Sequence, residues 1–403
     1  MKQLSTQERT LTEGIDQSAM LDRCLRWAAI NTGTGNLDGL ARQAADLADA
    51  FALLPGEVEL IDPAPVTAIA GDGSQYEKPH GHHLVVRVRP NAERRFLLTG
   101  HMDTVYAADH PFKDISWLDD DTVNGPGTAD MKGGLSLILE ALLAFERSPH
   151  AAQCGYDVMI NSDEETGSLS SAALIRELSQ GKYAALTYEP SALPDGTLAH
   201  ARGGSGNYSV SFTGRSAHAG RNPQDGRNAL VAAADCAVRL KQMQHRDLPI
   251  NPAKIDGGAA NNVVPDHAVL RFNIRPKTQE AAKAFFSDFN ELLQLLEKQH
   301  EVLTHCHGGI TRPPKPVDEK AQKLFDLVRD TGAALGQQIG WQATGGVCDG
   351  NNIAACGIPV VDTMGARGGA IHSPEEFMIV PSLTEKAELS AVVLHRLARG
   401  AVL

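Results

Sequence analysis

The stretch Phe96-Leu97-Leu98-Thr99-Gly100-His101-Met102-Asp103 is a short apolar run that ends in an imidazole and a carboxylate. A compact apolar run bounded by turn residues reads as a buried strand. The pattern recurs twice. Val158-Met159-Ile160-Asn161-Ser162 leads into Asp163-Glu164-Glu165, and Ala184-Ala185-Leu186-Thr187-Tyr188 leads into Glu189-Pro190. In an open α/β sheet, ligands bind beyond the carboxyl ends of the strands, so these three loops are expected to converge. Burying acids and imidazoles there is costly unless something positive satisfies them. A pair of metal ions is the economical explanation.

Outward from these strands, apolar spacing predicts helices between residues 20 and 54, broken at Asn31-Thr32-Gly33-Thr34-Gly35, and again over 131–145 and 170–178. Residues 84–88 add a further strand. Strands alternating with helices imply a sheet covered by helices, hence an α/β fold. The character changes near Arg202. Period-two alternation over 208–212, a helix over 226–243, a strand over 268–275 and a helix over 278–298 read as a separate α+β unit. Past Pro313-Pro314 the α/β pattern resumes, with a helix over 318–334, a strand at 358–361 and a last helix ending near Ala398. The expected architecture is therefore an α/β domain with a helix-covered mixed sheet, residues 1–201 and 312–403. An inserted α+β domain, 202–311, interrupts it. No internal repeat is present.

With 42% hydrophobic and 21% charged residues over 403 positions, the composition is that of a globular chain and excludes disorder. A formal charge of −12 argues against a nucleic-acid binder, which needs a basic face to replace phosphate counterions. No run of 18 apolar residues predicts a membrane span, and the polar N-terminus lacks the apolar core of a secretory signal. Six cysteines (24, 154, 236, 306, 348 and 356) show no CxxC spacing, which predicts reduced thiols in a cytoplasmic enzyme.

The charge count favours two metals over one. Asp130, Glu165, Glu189 and Glu164 bring four negative charges against the four positive charges of two divalent ions, and two neutral histidines, His101 and His372, complete the set. Carboxylate and imidazole together suit Zn²⁺, with Co²⁺ and Mn²⁺ as alternatives. Two histidines make a poor calcium site. Gly125-Pro126-Gly127 followed by Lys132 lacks the Gly-Lys-Ser/Thr of a phosphate loop, so no nucleotide site is expected.

Six motifs in order carry a resemblance. They are His101-Met102-Asp103; Gly127-Thr128-Ala129-Asp130-Met131-Lys132-Gly133-Gly134; Asp163-Glu164-Glu165-Thr166-Gly167; Glu189-Pro190; Ser216-Ala217-His218-Ala219-Gly220; and His372-Ser373. In this order they resemble the two-zinc metallopeptidases, which include glutamate carboxypeptidases, acetylornithine deacetylase and succinyl-diaminopimelate desuccinylase. The spacing looks nearest the glutamate carboxypeptidase branch. The resemblance runs from about Leu21 to Leu397 and implies a catalytic domain with an inserted lid that dimerises. It implies that Asp130 bridges two metals, that His101 and Glu189 hold one, and that Glu165 and His372 hold the other. Glu164 would be the general base acting on a metal-bridged water, and Asp103 would accept the second ring N–H of His101. His218 would stabilise the oxyanion across a dimer, while Asn262 and Arg275 would grip a substrate carboxylate. A cis peptide after Asp130 is also implied.

The implied activity is hydrolysis of a peptide or N-acyl amide bond next to a free amino-acid carboxylate. Between Glu189 and the insert, some glutamate-releasing members place a lysine. Here the run Pro194-Asp195-Gly196-Thr197-Leu198-Ala199-His200 has none, which weighs against a glutamate product. Two other readings stand beside a carboxypeptidase: an N-acyl-amino-acid deacylase using the same site, and a non-catalytic metal- or peptide-binding module. The second leaves Glu164 without a chemical purpose. Asp349, Asn351 and the stretch 365–369 are expected to line the cleft floor, with Arg367 in reach of substrate. Cys306 and His307 are expected in a loop.

Overall fold

The computed structural model describes residues 3–403, and the chain divides into two compact units. The first comprises the chain up to Ala64, Pro79–Ala201 and Val317–Leu403; the second comprises Pro65–Lys78 and Arg202–Pro316. The division differs from the sequence reading in two places. Residues 65–78 belong with the second unit, where Arg271 Nη2 donates to the carbonyl of Ile69 at 2.9 Å. Residues 312–316 do too, because Arg202 and Lys315 exchange backbone hydrogen bonds of 3.0 and 2.9 Å.

The first unit is built on a six-stranded mixed sheet in the order Glu57–Ile61, His83–Val88, Cys154–Asn161, Arg94–His101, Ala184–Thr187, Val360–Val361. The first three strands pair antiparallel; Arg94–His101 runs parallel to both of its neighbours, and Val360–Val361 parallel to Ala184–Thr187. Period-two alternation sorts the strand residues between two cores. Leu84, Val86, Phe96, Leu98, Tyr156, Val158 and Leu186 face the helices Gln17–Ala28, Gly133–Glu146 and Ser382–Arg399. Val85, Leu97, Met159 and Ala185 face Ala172–Ser179 and Asp349–Ala355. Both faces are covered, which is why Cys154–Asn161 is buried along its whole length, with its one charged residue, Asp157, paired with Lys182 at 2.6 Å. Helix starts follow their capping residues: Asp16 accepts from the Ala19 N–H, and Asn36 from the Gly39 N–H.

Two glycines let the elements close on the strand end that carries Glu189. A Cβ on Gly134 would lie 2.3 Å from the Tyr188 carbonyl oxygen, and one on Gly365 would lie 2.2 Å from the same atom. Neither position admits a side chain.

The second unit holds a four-stranded antiparallel sheet, in the order Ile250–Gly257, His267–Ile274, Ser205–Thr213, Leu303–Arg312. Ala229–Met243 and Gln279–His300 supply the helical side of its core. Tyr208, Phe272, Phe285 and Phe289 form an aromatic cluster with centroids 5.0–6.2 Å apart. Two of these strands escape the sequence reading. Ile250–Gly257 and Leu303–Arg312 are sheet edges with a single buried residue each, so neither shows a clean apolar alternation. Cys306 and His307, expected in a loop, therefore sit on an edge strand.

None of the six cysteines forms a disulfide. Among the described residues no helix is long and apolar enough to cross a membrane.

Candidate metal centre

The parallel pairing of His101 with Asn161 brings two strand ends level, and Thr187 ends the neighbouring strand on the same side. From these ends the chain supplies His101 itself, the single turn Glu164–Thr166 and Glu189. Asp130 enters from the irregular segment Thr128–Lys132, which contains a cis Asp130-Met131 peptide. His372 enters from a loop with φ 63°, a left-handed conformation that side-chain-bearing residues adopt rarely and that clusters at functional sites.

Asp130 is the centre of the group. Its Oδ1 lies 3.0 Å from His101 Nε2, and its Oδ2 lies 3.3 Å from His372 Nε2. His101 Nε2 also lies 3.6 Å from Glu189, and His372 Nε2 lies 3.2 Å from Glu165. Each oxygen of Asp130 thus faces its own histidine and its own second carboxylate. Donor atoms of His101, Asp130 and Glu165 lie within 4.8 Å of one another, as do those of His101, Glu164 and Glu189. All of these residues belong to the first unit.

The crowding of acids and imidazoles sets the electrostatics of the cluster. Burial opposes charge on His101, yet Glu189, Asp103 and Asp130 overcome it and hold its pKa well above the ordinary value. Hydrogen bonds to Asp130 and Glu165 push His372 up to about 11. Burial and the charge of Asp130 push Glu165 upward. Burial acts in the same direction on Asp130, but His101 and His372 outweigh it and lower its pKa.

Asp103 has a different contact from the expected one. His101 Nδ1 donates to the backbone carbonyl of Asp103 at 3.0 Å, while the carboxylate is 3.5 Å away. A carbonyl only accepts, so one ring proton sits on Nδ1 and Nε2 is the nitrogen that meets the cluster. The fully buried Asp103 carboxylate instead accepts from Thr34 Oγ1 at 2.7 Å and from the backbone N–H groups of Glu164 and Glu165 at 3.1 and 3.2 Å. It fixes the turn that presents both glutamates.

Glu376 escaped the sequence reading. Its carboxylate accepts from the N–H groups of Gly127, Ala129 and Asp130 at 3.0–3.1 Å and from the Tyr106 hydroxyl at 2.8 Å. That buried carboxylate holds the segment carrying Asp130. Burial and nearby Asp130 push it up to about 6. Its only sequence signal was a second glutamate four residues beyond His372.

Two residues expected at the cleft floor make structural contacts. Asp349 is buried and takes hydrogen bonds from Asn161 Nδ2 and Ser168 Oγ, both at 2.7 Å, which braces a strand end. Arg367 pairs with Glu385 at 3.0–3.1 Å and donates to the Pro194 carbonyl at 2.8 Å.

His218, Asn262 and Arg275 belong to the second unit. His218 and Asn262 sit together: the Ala219 N–H donates to the Asn262 carbonyl, and His218 bridges Val263. Both are exposed, beside a cavity of about 710 Å³ walled by Ala219, Gly258, Asn261 and Val264. Arg275 follows the far end of His267–Ile274, where its Nε donates to Asn273 at 2.8 Å.

Fold and cluster together define a metal-dependent amide hydrolase of the dinuclear kind. The chain belongs to the peptidase family M20/M25/M40, whose profile matches residues 97–396. It is 28% identical over 403 aligned residues to carboxypeptidase G2 of Pseudomonas sp. (strain RS-16), covering 96% of this chain and 91% of that protein. To a succinyl-diaminopimelate desuccinylase of Psychromonas ingrahamii it is 24% identical over 324 residues, 75% of this chain and 83% of that one. Among solved structures, a tripeptidase of Staphylococcus aureus superposes with a TM-score of 0.72 at 23% identity, over 95% of this chain and 99% of that one.

Proposed function

We propose that the chain hydrolyses the amide bond of a short peptide or N-acyl amino acid beside a free carboxylate, as a carboxypeptidase does, with two zinc ions. The reading rests above all on Asp130, whose two oxygens face two separate imidazole-carboxylate pairs. His101 and Glu189 would hold one ion, Glu165 and His372 the other. The donor set fits, because four carboxylates and two imidazoles match two divalent cations in charge and in ligand type. When bound, the ions supply an acidified water, its pKa brought down toward about 7, and polarise the amide carbonyl.

The chain's own groups do the rest. Glu164 takes a proton from the attacking water and passes it to the leaving amine. Its backbone N–H is anchored on Asp103, which fixes where the carboxylate starts. The His101 Nδ1–H bond to the Asp103 carbonyl keeps the other ring nitrogen available as a ligand. His218 donates to the developing oxyanion from the partner chain of a homodimer, and Asn262 with Arg275 holds the substrate carboxylate, Arg275 through a planar fork. Six cysteines outside any disulfide agree with a cytoplasmic setting.

Removal of an acyl group from an N-acyl amino acid is the second reading, favoured by the matched desuccinylase. Released amine, measured on zinc-loaded protein with a panel of dipeptides and N-acyl amino acids, tests both. Hydrolysis of dipeptides above acyl amino acids supports the first reading and the reverse order the second. No hydrolysis with two ions bound contradicts both.

A further inference from the structure

The strand end with His101 and Asp103, the irregular segment with Asp130 and the loop with His372 lie far apart in the chain. One side chain joins all three. Tyr106, just beyond His101 and Asp103 in the chain, is 3% exposed. Its hydroxyl lies 2.8 Å from Glu376 Oε2 and 2.9 Å from the carbonyl oxygen of Ser373. Glu376 receives the N–H groups of Gly127, Ala129 and Asp130, and Ser373 directly follows His372.

A phenol has one proton to donate and a carbonyl only accepts, so the hydroxyl is held between its two acceptors and keeps them together. The Ser373 carbonyl also takes the Glu376 N–H at 3.1 Å, which closes a turn immediately behind His372. The His372 side chain is 51% exposed, so its loop, more than packing around the ring, decides where the imidazole stands. His101 differs: it is buried at a strand end, with Nδ1 on the Asp103 carbonyl.

Tyr106 is itself well anchored. Asn31 Nδ2 donates to the carbonyls of Tyr106 and Ala107 at 3.1 and 3.2 Å, and the Thr104 N–H donates to the Thr32 carbonyl at 3.0 Å. Its ring meets Phe112 edge-on, with centroids 5.1 Å apart. We infer that Tyr106 is a positioning residue: through Ser373 it sets the loop that presents His372, and through Glu376 it ties that loop to the segment of Asp130. The role rests on the metal pair proposed above, and it bears most on the ion between Glu165 and His372.

The test loads wild-type and Tyr106→Phe protein with zinc and dialyses both against a graded chelator. The substitution keeps the ring and removes only the hydroxyl. One ion should bind about tenfold more weakly, the lower end of what a partner behind a metal ligand contributes. At the chelator strength where wild type still holds two ions per chain, Tyr106→Phe should hold one. Anomalous diffraction from crystals at that strength should place the lost ion between Glu165 and His372. Phe112→Leu, which loosens the ring and keeps the hydroxyl, separates this role from a merely structural one: it should lower the unfolding temperature and still hold two ions. Two ions retained by Tyr106→Phe, loss of the ion at His101 and Glu189 first, or the same ion lost from Phe112→Leu would each overturn the assignment. Wild type that never holds two ions would contradict the metal pair, and this role with it.

Discussion

His101 and His218 open the clearest comparison in the molecule. His101 is 1% exposed, with one ring nitrogen on the Asp103 carbonyl and the other against Asp130 and Glu189. His218 stands in solvent, where its Nδ1 accepts the backbone N–H groups of Gly220 and Arg221, at 3.0 and 3.2 Å. In the first unit, strand ends and the carboxylates behind them order the side chains of the cluster. The second offers polar groups from turns and from the end of a strand. Metal binding needs positions fixed in advance, whereas contacts to a substrate can be completed when it arrives.

Substitutions in the two regions should then fail in different ways. The largest effect is expected from Asp130→Ala, which removes the atoms facing both histidines. Metal content should fall below two ions per chain, with activity lost; elemental analysis beside an amine-release assay checks it. His218→Ala should lower turnover by about 10²–10³, the usual cost of an oxyanion donor, with metal content unchanged. Mixing it with Glu164→Ala should restore part of the activity in verified heterodimers, and no recovery there counts against action across a dimer.

Glu376→Gln is a finer probe of how far the ordered region extends. The amide nitrogen cannot accept from the N–H groups that Glu376 now holds, so the Asp130 segment should loosen. Metal affinity should drop about 10–100-fold, read as ion loss on dialysis against a graded chelator. The smallest effect concerns pH. His101 and His372 both have raised pKa values without metal, so both carry protons near neutrality, and a ligand imidazole must shed one. Zinc uptake should therefore release protons, and affinity should rise with pH. Calorimetry in buffers of different ionisation enthalpy would show the release, and a pH-independent affinity would break the argument.

The residues legible in the sequence were those whose position costs free energy. An apolar strand that ends in His101, or that leads into Glu164 or Glu189, has no cheap structural purpose, so the pattern stands out. The two edge strands of the second unit were missed because edges bury little and carry no alternation. Glu376 was missed for another reason: its partners are backbone N–H groups 246–249 positions away, a relation that residue identity does not encode. The contacts of Asp103 were half legible. Its closeness to His101 follows from the spacing, but its carboxylate serves the Glu164–Glu165 turn, and only the fold brings that turn beside it.

The central claim is that the first unit holds the metal-binding part of a hydrolytic centre, in which Glu164 moves the proton and the other acids hold metal. Turnover and metal content measured on the same preparation of Glu164→Gln test it most directly. The account predicts two ions per chain and turnover reduced by about 10²–10⁴. Two ions with near-normal turnover would contradict it.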